Sequence, residues 1–366
     1  MRIDIRVLKQ LKINFISNIN DAGLSRDMHV LAKVCRLNGV RFYVHGGPFS
    51  NRKKIKTESR TLFIRKLVQR LYVFIFRRPI FSLNIHNERL FPRHFAFAQK
   101  NCIMPNLEWI TDKDFDKITL IDFVFAKTLH THTFFDGSGV CSRHLGFTST
   151  EPESLLFDKD REFFHVAGDN PWKGTKIILE TWLKHPEWPL LHVVCRNLKE
   201  LLSEFDFRRL TRLKNVRIYS SFLTDQTLKK LQNKCLFHLC PSQHEGYGHS
   251  IVEGLACGAI VFTTDAPPMN ELVHKDWGYL VTVSFKKKQR QDFRYFISAE
   301  DLEVKISAGL SADISTIRRM QETGRDQYCK NCDEFHVRFA RLAEELAGQS
   351  TPKKKLNVLP RDFQFK

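Results

Sequence analysis

Short apolar runs alternate with amphipathic stretches along most of the chain. In the first half, residues 24–37 carry apolar side chains at helical spacing, and Asn38 and Gly39 follow as a typical helix end. Apolar runs flank this helix and recur after it, which is the pattern of β-α-β units with a mostly parallel sheet. Residues 127–135 are predicted to form the beginning of a further helix. The predicted strands of this half are 12–17, 40–45, 81–85, 101–104 and 120–125.

The same alternation starts again after a polar, acidic stretch at 148–162. Strands are predicted at 163–166, 190–195, 216–219, 236–240 and 259–264, with helices at 175–184, 224–233 and 311–347. Two α/β halves joined by one linker place a ligand cleft between the carboxyl ends of both sheets. The predicted organisation is a first Rossmann-like domain at 1–150, a linker at 151–162, a second domain at 163–335, and a helix end with a basic tail at 336–366.

The composition fits a globular protein of two domains. A chain of 366 residues with 42% hydrophobic content can bury two separate cores. The first fifteen residues are charged throughout and lack the apolar centre of a signal peptide, and no run is long enough to span a membrane. Nine cysteines, an odd number, indicate reduced thiols. We therefore expect a cytoplasmic protein that is soluble or bound to the inner membrane face.

Half of the net charge of +18 lies in one segment. Residues 51–78 hold ten lysines and arginines against a single acid, which leaves a net charge of +9. Apolar residues at 63, 64, 67, 71 and 74 have helical spacing, so an amphipathic basic helix is predicted at 59–76. Two interpretations stay open: a helix that binds an anionic membrane surface, and a helix that packs on the core with a solvated basic face. No nucleic-acid recognition motif accompanies the charge, so no nucleic acid is expected as a partner.

The most informative stretch is 236–264. An apolar strand leads into Glu245-Gly246-Tyr247-Gly248, then into a short helix that carries Glu253, and then into a second strand. Glycines before a helix N-terminus leave backbone N–H groups free to bind an anion. Two carboxylates that flank an anion site suit a ligand with phosphate in the middle and hydroxyls at both ends. A nucleotide sugar is such a ligand.

With both glutamates placed, residues 163–275 resemble the donor domain of the family 4 retaining glycosyltransferases, which have the GT-B fold and an E-x7-E motif. The first domain shares the order of strands and few residues. The resemblance implies two Rossmann-like domains that face each other across a cleft, with 1–150 on the acceptor side and 163–335 as the nucleotide-sugar donor domain. The residues that carry it are Pro241-Ser242, Glu245-Gly246-Tyr247-Gly248, Glu253-Gly254, Ala256, Gly258, Glu271-Leu272 and, upstream, Lys173-Gly174.

The resemblance implies a role for each residue of the motif. Glu253 would accept hydrogen bonds from the ribose hydroxyls, and Glu245 would bind the transferred sugar and stabilise positive charge at its anomeric carbon. Lys173 would neutralise the departing diphosphate. Such enzymes need no protein nucleophile, and no cofactor or divalent metal is expected besides the nucleotide-sugar co-substrate. Backbone N–H groups would hold the phosphates and sugar hydroxyls at Gly246, Tyr247, Gly248 and His249.

Further candidates rest on position alone. Many relatives carry an arginine where this chain has Gly168, and Arg196 after the next strand is the candidate substitute for phosphate binding. For each candidate, the alternative interpretation is an ordinary surface or packed residue that binds no ligand. The remaining candidates are Gly23 for phosphate, His86 for the donor sugar, and Glu88 and Lys127 for the acceptor cleft.

The sequence thus predicts a metal-independent, retaining hexosyl-type glycosyltransferase. It would move a sugar from a nucleotide-sugar donor to a hydroxyl of a cell-surface glycan, of the polysaccharide or lipopolysaccharide type, with a glycan or lipid-linked acceptor. Two alternatives remain. One is a decayed GT-B scaffold that serves as a membrane-surface binding protein. The other is a GT-B phosphorylase or a sugar-nucleotide epimerase.

Overall fold

A computed structural model describes residues 10–17, 23–45, 47–48, 68, 71–76, 78–151 and 158–348. The predicted basic tail at 349–366 and the centre of the predicted linker lie outside the described residues. Of the amphipathic stretch 59–76, only residue 68 and residues 71–76 are described, and these are helical.

The first domain is built on a seven-stranded sheet in the order β3-β2-β1-β4-β5-β6-β7. All neighbouring strands are parallel except the two-residue edge strand β3, which is antiparallel to β2. The strands are β1 Lys12–Ile16, β2 Arg41–Val44, β3 Gly47–Pro48, β4 Phe81–Asn87, β5 Ala98–Met104, β6 Phe123–Ala126 and β7 Ser142–His144. The helices are α1 Gly23–Leu37, α2 Asp112–Ile118 and α3 Leu129–Gly137.

The second domain is built on six parallel strands in the order β10-β9-β8-β11-β12-β13. The strands are β8 Asp160–Gly168, β9 Leu191–Cys195, β10 Val216–Tyr219, β11 Cys235–Cys240, β12 Ile260–Thr264 and β13 Gly278–Val281. The helices are α4 Thr175–Trp182, α5 Leu198–Leu201, α6 Glu204–Leu210, α7 Asp225–Lys234, α8 His249–Ala256, α9 Ala299–Ser311 and α10 Ile314–Gly348. A separate antiparallel hairpin, β14 Val283–Gln289 and β15 Asp292–Ile297, leaves the end of β13.

The long helix α10 joins the two domains through apolar packing. Its Phe335 and Phe339 are fully buried, and they belong to a core cluster that also contains Phe15 of β1 and Ile251 of α8. Phe147, between the two sheets, packs its ring edge-on against Phe335 at 5.2 Å. Burial of large aromatic side chains from both domains in one cluster holds the sheets in a defined relative position.

The predicted fold class is confirmed: two α/β domains with parallel sheets enclose a cleft at the carboxyl ends of their strands. Short helices α2, α5 and α6, helix α9 and the hairpin were not predicted. All nine cysteines are unpaired. Within the described residues, no helix combines the length and apolarity that crossing a membrane requires.

Candidate active site

Glu245 and Lys173 meet at the carboxyl end of the second sheet. Lys173 lies in the turn after β8, Glu245 lies in the loop after β11, and the ammonium group contacts carboxylate oxygen Oε1 directly. The Ser242 hydroxyl donates a hydrogen bond to the same oxygen at 2.6 Å. Gly174 allows this approach, because it has φ +75° and a Cβ there would lie 2.2 Å from the Pro241 carbonyl oxygen. Glycine is therefore needed after Lys173, because a side chain at position 174 would clash with the Pro241 backbone.

Glu245 is held in its ionised form. Burial alone would raise the pKa of its carboxyl, but the Lys173 ammonium and the Ser242 hydroxyl outweigh burial and lower it below the usual value. The side chains of Glu245 and Lys173 are only 10% and 17% exposed. A carboxylate and an ammonium with little access to water interact more strongly than a surface pair. The pair is thus a preformed, charged element of the cleft.

The glycine loop fits closely between the two domains. Gly248 precedes α8 with φ +104°, and a Cβ there would lie 2.8 Å from Leu272 Cδ1. At Gly246 a Cβ would lie 2.0 Å from Asn106 Oδ1 of the first domain. Tyr247 is buried, and its hydroxyl donates to the Phe147 carbonyl oxygen at 2.7 Å. Tyr247 therefore anchors the loop in the interdomain core, and only its backbone faces the predicted ligand.

Glu253 lies in α8 with 3% exposure. Its Oε1 accepts from the Ser149 hydroxyl at 2.9 Å and lies 3.4 Å from Arg26 Nε of α1. Its Oε2 accepts from Gln232 Nε2 at 2.9 Å. Both oxygens of the predicted ribose-binding carboxylate therefore already have protein partners, which ribose hydroxyls would have to replace or share.

A chain of polar contacts links the start of α8 to the first domain. His249 Nε2 lies 2.9 Å from Asp27 Oδ1, and Lys127 Nζ lies 3.3 Å from Asp27 Oδ2. Lys127 also donates to Asn106 Oδ1 at 2.9 Å, and Asn106 Nδ2 donates to Glu88 Oε1 at 2.7 Å. The structure thus brings the predicted residues His249, Lys127 and Glu88 into one network.

The pKa values within this network move in opposite directions. Burial alone would raise the pKa of Asp27, but Lys127 and His249 outweigh it and lower that pKa. Burial raises the pKa of Glu88 despite the opposing charge of Lys127. Glu88 also adopts φ +60°, a backbone conformation that is uncommon for a residue with a side chain. Strained, partly desolvated acids are concentrated at functional sites, so Glu88 remains a candidate.

The structure does not bring His86 and Arg196 to this network, and the prediction for Gly23 stays a prediction. His86 is fully buried, with Nδ1 accepting from the Phe91 N–H at 3.2 Å, and burial lowers its pKa to about 4. Arg196 is largely exposed and forms a two-point ion pair with Asp169. Gly23 begins α1, and residues 18–22 before it lie outside the described residues.

Several residues of the cleft were not predicted from the sequence. Asn106 follows strand β5 at its carboxyl end, the same kind of position as Glu245, and this signal could have identified it. His244 Nε2 lies 2.6 Å from Asp292 Oδ2, and the same carboxylate oxygen lies 2.8 Å from His130 Nε2 of the first domain. Asp292 begins strand β15 of the hairpin, an element that the sequence analysis did not predict.

The one group of His, Cys and acidic side chains in the described residues that could hold a metal ion lies away from this cleft. Glu162, His192 and Cys235 offer ligand atoms within 4.8 Å of one another, near the starting ends of β8, β9 and β11. Lys234 Nζ already lies 2.8 Å from Glu162 Oε2, and burial raises the pKa of Cys235 to about 12. A neutral thiol beside an ammonium is a poor cation site.

Comparison with known proteins supports a group 1 glycosyltransferase. Residues 147–309 match the family described as "Glycosyl transferases group 1", and this stretch contains the whole second sheet, Lys173 and both motif glutamates. No curated protein sequence matches the chain.

Solved structures of known proteins share the fold. Sucrose-phosphate synthase from Thermosynechococcus elongatus superposes with a TM-score of 0.67 at 14% identity, over 93% of this chain and 100% of that chain. HepE from Anabaena, in complex with UDP and glucose, gives 0.63 at 15% identity, over 91% and 99% of the two chains. The apo form of the lipopolysaccharide outer core galactosyltransferase WaaB gives 0.58 at 14% identity, over 89% and 99%. The GT-B fold is therefore shown.

Proposed function

We propose that this chain is a retaining, metal-independent glycosyltransferase that moves a hexose from a nucleotide sugar to a hydroxyl of a cell-surface glycan. The observation that carries the proposal is the Lys173–Glu245 pair at the carboxyl end of the second sheet. The pair adjoins the helix α8 N-terminus, where Gly248 has no side chain to cap the first N–H groups. The family match over 147–309 supports the same activity.

The geometry suggests an exchange of partners when the donor binds. The donor diphosphate would take the Lys173 ammonium from Glu245, and the freed Glu245 carboxylate would face the sugar. In the reaction the bond between the anomeric carbon and the phosphate oxygen breaks, and a bond to the acceptor oxygen forms on the same face. The acceptor proton passes to the departing phosphate. Lys173 stabilises the charge that develops on the phosphate, and Glu245 stabilises the cationic sugar.

Positive charge at the phosphates would come from the protein itself. Lys173 and the N–H groups at the start of α8 supply it without a metal ion. We expect turnover to be unchanged by a chelator of divalent cations. Loss of activity in chelator, restored by one added divalent cation, would contradict this part of the proposal.

The donor to test first is a uridine nucleotide sugar. HepE, which shares the fold, has been solved with UDP and with UDP-glucose. Because a donor that binds only the folded protein raises its stability, thermal unfolding against a panel of nucleotide sugars ranks the donors. Comparison of the anomeric configuration of donor and product by NMR then tests retention.

The decisive experiment removes each charge of the central pair. With the best donor, Lys173→Ala and Glu245→Ala should each lower hydrolysis or transfer by about 100-fold or more, the scale expected for loss of a charge-stabilising group. Lys176→Ala is the matched control, because Lys176 lies in the first turn of α4 and its side chain is 63% exposed. Equal activity of all three variants would refute the assignment. Turnover that requires free phosphate, or epimer formation without acceptor, would favour the phosphorylase or epimerase alternative.

We further propose that the first domain contacts an anionic membrane that carries a lipid-linked acceptor. In the helical segment 71–76 the side chains of Phe74, Ile75 and Phe76 are 65%, 64% and 58% exposed, whereas Val73 is buried. Exposed apolar side chains inside a segment of net charge +9 are typical of a helix that binds an anionic membrane surface.

Vesicle sedimentation tests the membrane proposal. Binding should need anionic lipid, weaken steeply with salt, and fall in Ile75→Asp. Leu120→Asp is the control, since Leu120 is 66% exposed in another part of the first domain. Equal binding to neutral vesicles would refute it, and binding without any turnover would favour the decayed-scaffold alternative.

A further inference from the structure

The hairpin β14–β15 reaches from the second domain onto the first. At its tip, Arg290 donates to the Trp109 carbonyl oxygen at 2.7 Å, and Gln291 Nε2 donates to Asp112 Oδ1 at 2.5 Å. At its other end, the Tyr295 N–H donates to the Gln243 carbonyl oxygen at 2.7 Å, two residues before Glu245. The hairpin is therefore bonded both to the first domain and to the loop of the proposed catalytic glutamate.

Four stacked side chains cross the domain boundary beside Lys173. Trp109 of the first domain and Trp172 of the second stack at 5.2 Å with an interplanar angle of 14°. The Arg290 guanidinium lies 5.1 Å from the Trp109 ring centre, and that of Arg294 lies 4.8 Å from the Trp172 ring centre. Each arginine comes from the hairpin, so the hairpin clamps an aromatic pair that exists only while the domains are together.

A cluster of alternating charge lies under the hairpin. Asp292 of the hairpin contacts His130 of the first domain at 2.8 Å and His244 of the second at 2.6 Å. On its other side, His244 Nδ1 lies 3.4 Å from Glu108 Oε2 of the first domain. His244, Asp292 and Glu108 are 4%, 3% and 6% exposed. Two of the three contacts, His130 to Asp292 and Glu108 to His244, cross between the domains.

The two domains are packed closely beside the Lys173–Glu245 pair. Lys173 contacts Glu245 directly, and Gly246 has no room even for a methyl group against Asn106. Under the proposed function, a nucleotide sugar that enters between Gly246 and Asn106 would require the domains to separate along this edge. Separation would unstack Trp109 from Trp172 and remove Glu108 and His130 from the cluster.

We propose that the hairpin 283–297 is a strap that fastens the two domains over the site, and that it is fastened when His244 carries a proton. A protonated His244 donates to Asp292 and faces Glu108, so one positive charge lies between the two buried carboxylates. A neutral His244 leaves these acids facing each other without a cation between them. The strap is a feature of the protein without ligand. Only its effect on turnover, through regulation of donor entry, rests on the proposed function.

The direction of the pH effect follows from the groups that face His244. These are Asp292, Glu108 and Glu245. Burial lowers the pKa of His244, but the three carboxylates outweigh it and raise that pKa above the usual value. Fastening is therefore complete when the pH is below the ordinary histidine pKa, about 6.5. It is lost as the pH rises through the raised pKa of His244.

The neighbouring groups add to this effect or limit it. Burial raises the pKa of Glu108 although His244 and Lys127 oppose it, so the contribution of Glu108 to the fastened state is also lost as pH rises through that raised pKa. Lys173 compensates Glu245. Burial would raise the pKa of Asp292, but His130 and His244 outweigh it and lower that pKa. Ionised Asp292 therefore stabilises the fastened state above the ordinary aspartate pKa, about 3.9, and this stabilisation is lost only in acid.

The stacked indoles report fastening directly and without substrate. Two stacked chromophores give an exciton couplet in circular dichroism. The signal that is lost in Trp109→Phe identifies the part of the spectrum that comes from the Trp109–Trp172 pair. We expect the wild-type couplet to be strong at pH 6 and to decline reversibly as pH rises through the His244 titration. His244→Gln should lose most of the couplet at every pH while the protein remains folded by thermal melting. Asp292→Asn, a nearly isosteric change, should do the same.

The matched control is His274→Gln. His274 is a half-exposed histidine of the same domain that pairs with Asp276 at 2.9 Å, so the variant should keep the wild-type titration. A couplet that stays constant over the pH range, or a folded His244→Gln that titrates like the wild type, would overturn the strap. Because the couplet needs no donor, a protein that shows the titration but transfers no sugar would keep the strap and refute the proposed function.

Discussion

The substitution Gly246→Ala tests whether the two domains are packed as closely at the glycine loop as the structure places them. The added Cβ would lie 2.0 Å from Asn106 Oδ1 and 2.2 Å from Asn106 Cγ. Ordinary van der Waals contact begins near 3.4 Å. Asn106 or the loop must therefore move by more than 1 Å. Gly246 is not in the left-handed region, so backbone strain adds nothing to this clash.

The expected cost follows from the bonds that hold Asn106. Its Oδ1 accepts from the Lys127 ammonium at 2.9 Å, and its Nδ2 donates to the Glu88 carboxylate at 2.7 Å. Hydrogen bonds to charged groups contribute about 1.5–3 kcal/mol each, and replacing glycine reduces the entropy of the unfolded chain by about 0.4–1 kcal/mol in the opposite direction. Loss of one bond therefore lowers the free energy of unfolding by about 0.5–2.5 kcal/mol.

Urea denaturation of a double-mutant cycle measures this cost. Gly246→Ala should destabilise the wild type by that amount and should cost almost nothing in an Asn106→Ala background, where the obstructing amide is gone. The coupling energy should thus nearly equal the effect of the single substitution. An equal loss in both backgrounds, or no loss in the wild type, would show that the close approach of Gly246 to the first domain is wrong.

Three further predictions concern positions with different physical roles. Gly174→Ala should lower the free energy of unfolding by more than about 2 kcal/mol and weaken donor binding, because φ is +75° and the new Cβ would meet the Pro241 backbone. Phe339→Ala should cost about 3–5 kcal/mol in denaturant unfolding, since Phe339 is fully buried in the core cluster that spans both domains. Arg143→Ala should change stability by no more than about 1 kcal/mol, because its pair with Glu345 is largely exposed.

Elements buried on both faces could be predicted from the sequence. Strands β11 and β12 are mostly apolar, interrupted only by His238 and by the two threonines that end β12, and every residue in them is buried. The intervening helix is bounded by Gly248 and Gly258, both with positive φ. Local composition and tertiary environment agree there, so the boundaries are right to within a residue. The hairpin is the opposite case. Its lysines appear solvated in sequence, and the contact of Lys286 and Lys288 with the Phe293 ring exists only after the strands pair.

The candidate site could be predicted only in part, for a related reason. Glu245, Glu253 and Lys173 are marked by adjacent glycines, which the chain needs for local backbone geometry. The partners of Glu253 carry no such mark, because Ser149 is 104 residues away in sequence and Gln232 is 21 residues away. His86 follows an apolar strand as a cleft residue would, but its ring lies under the turn 92–97 rather than in the cleft. Strand-end position alone does not give the direction of a side chain.

In the resting structure, the charged groups of the cleft neutralise one another. Lys173 pairs with Glu245, His249 and Lys127 share Asp27, and Arg26 faces Glu253, which also accepts hydrogen bonds from Ser149 and Gln232. A buried charge left without a partner would cost several kcal/mol, so a ligand-free site of this composition is stable only with such internal pairs.

The consequence concerns specificity. A ligand that supplied phosphate alone would take Lys173 from Glu245 and leave that carboxylate buried with only the Ser242 hydroxyl bonded to it. Under the proposed function, a nucleotide sugar would also bring sugar hydroxyls to Glu245 and ribose hydroxyls to Glu253, and these would replace hydrogen bonds that its entry breaks. We therefore expect a complete nucleotide sugar to bind more tightly than inorganic phosphate or a free sugar.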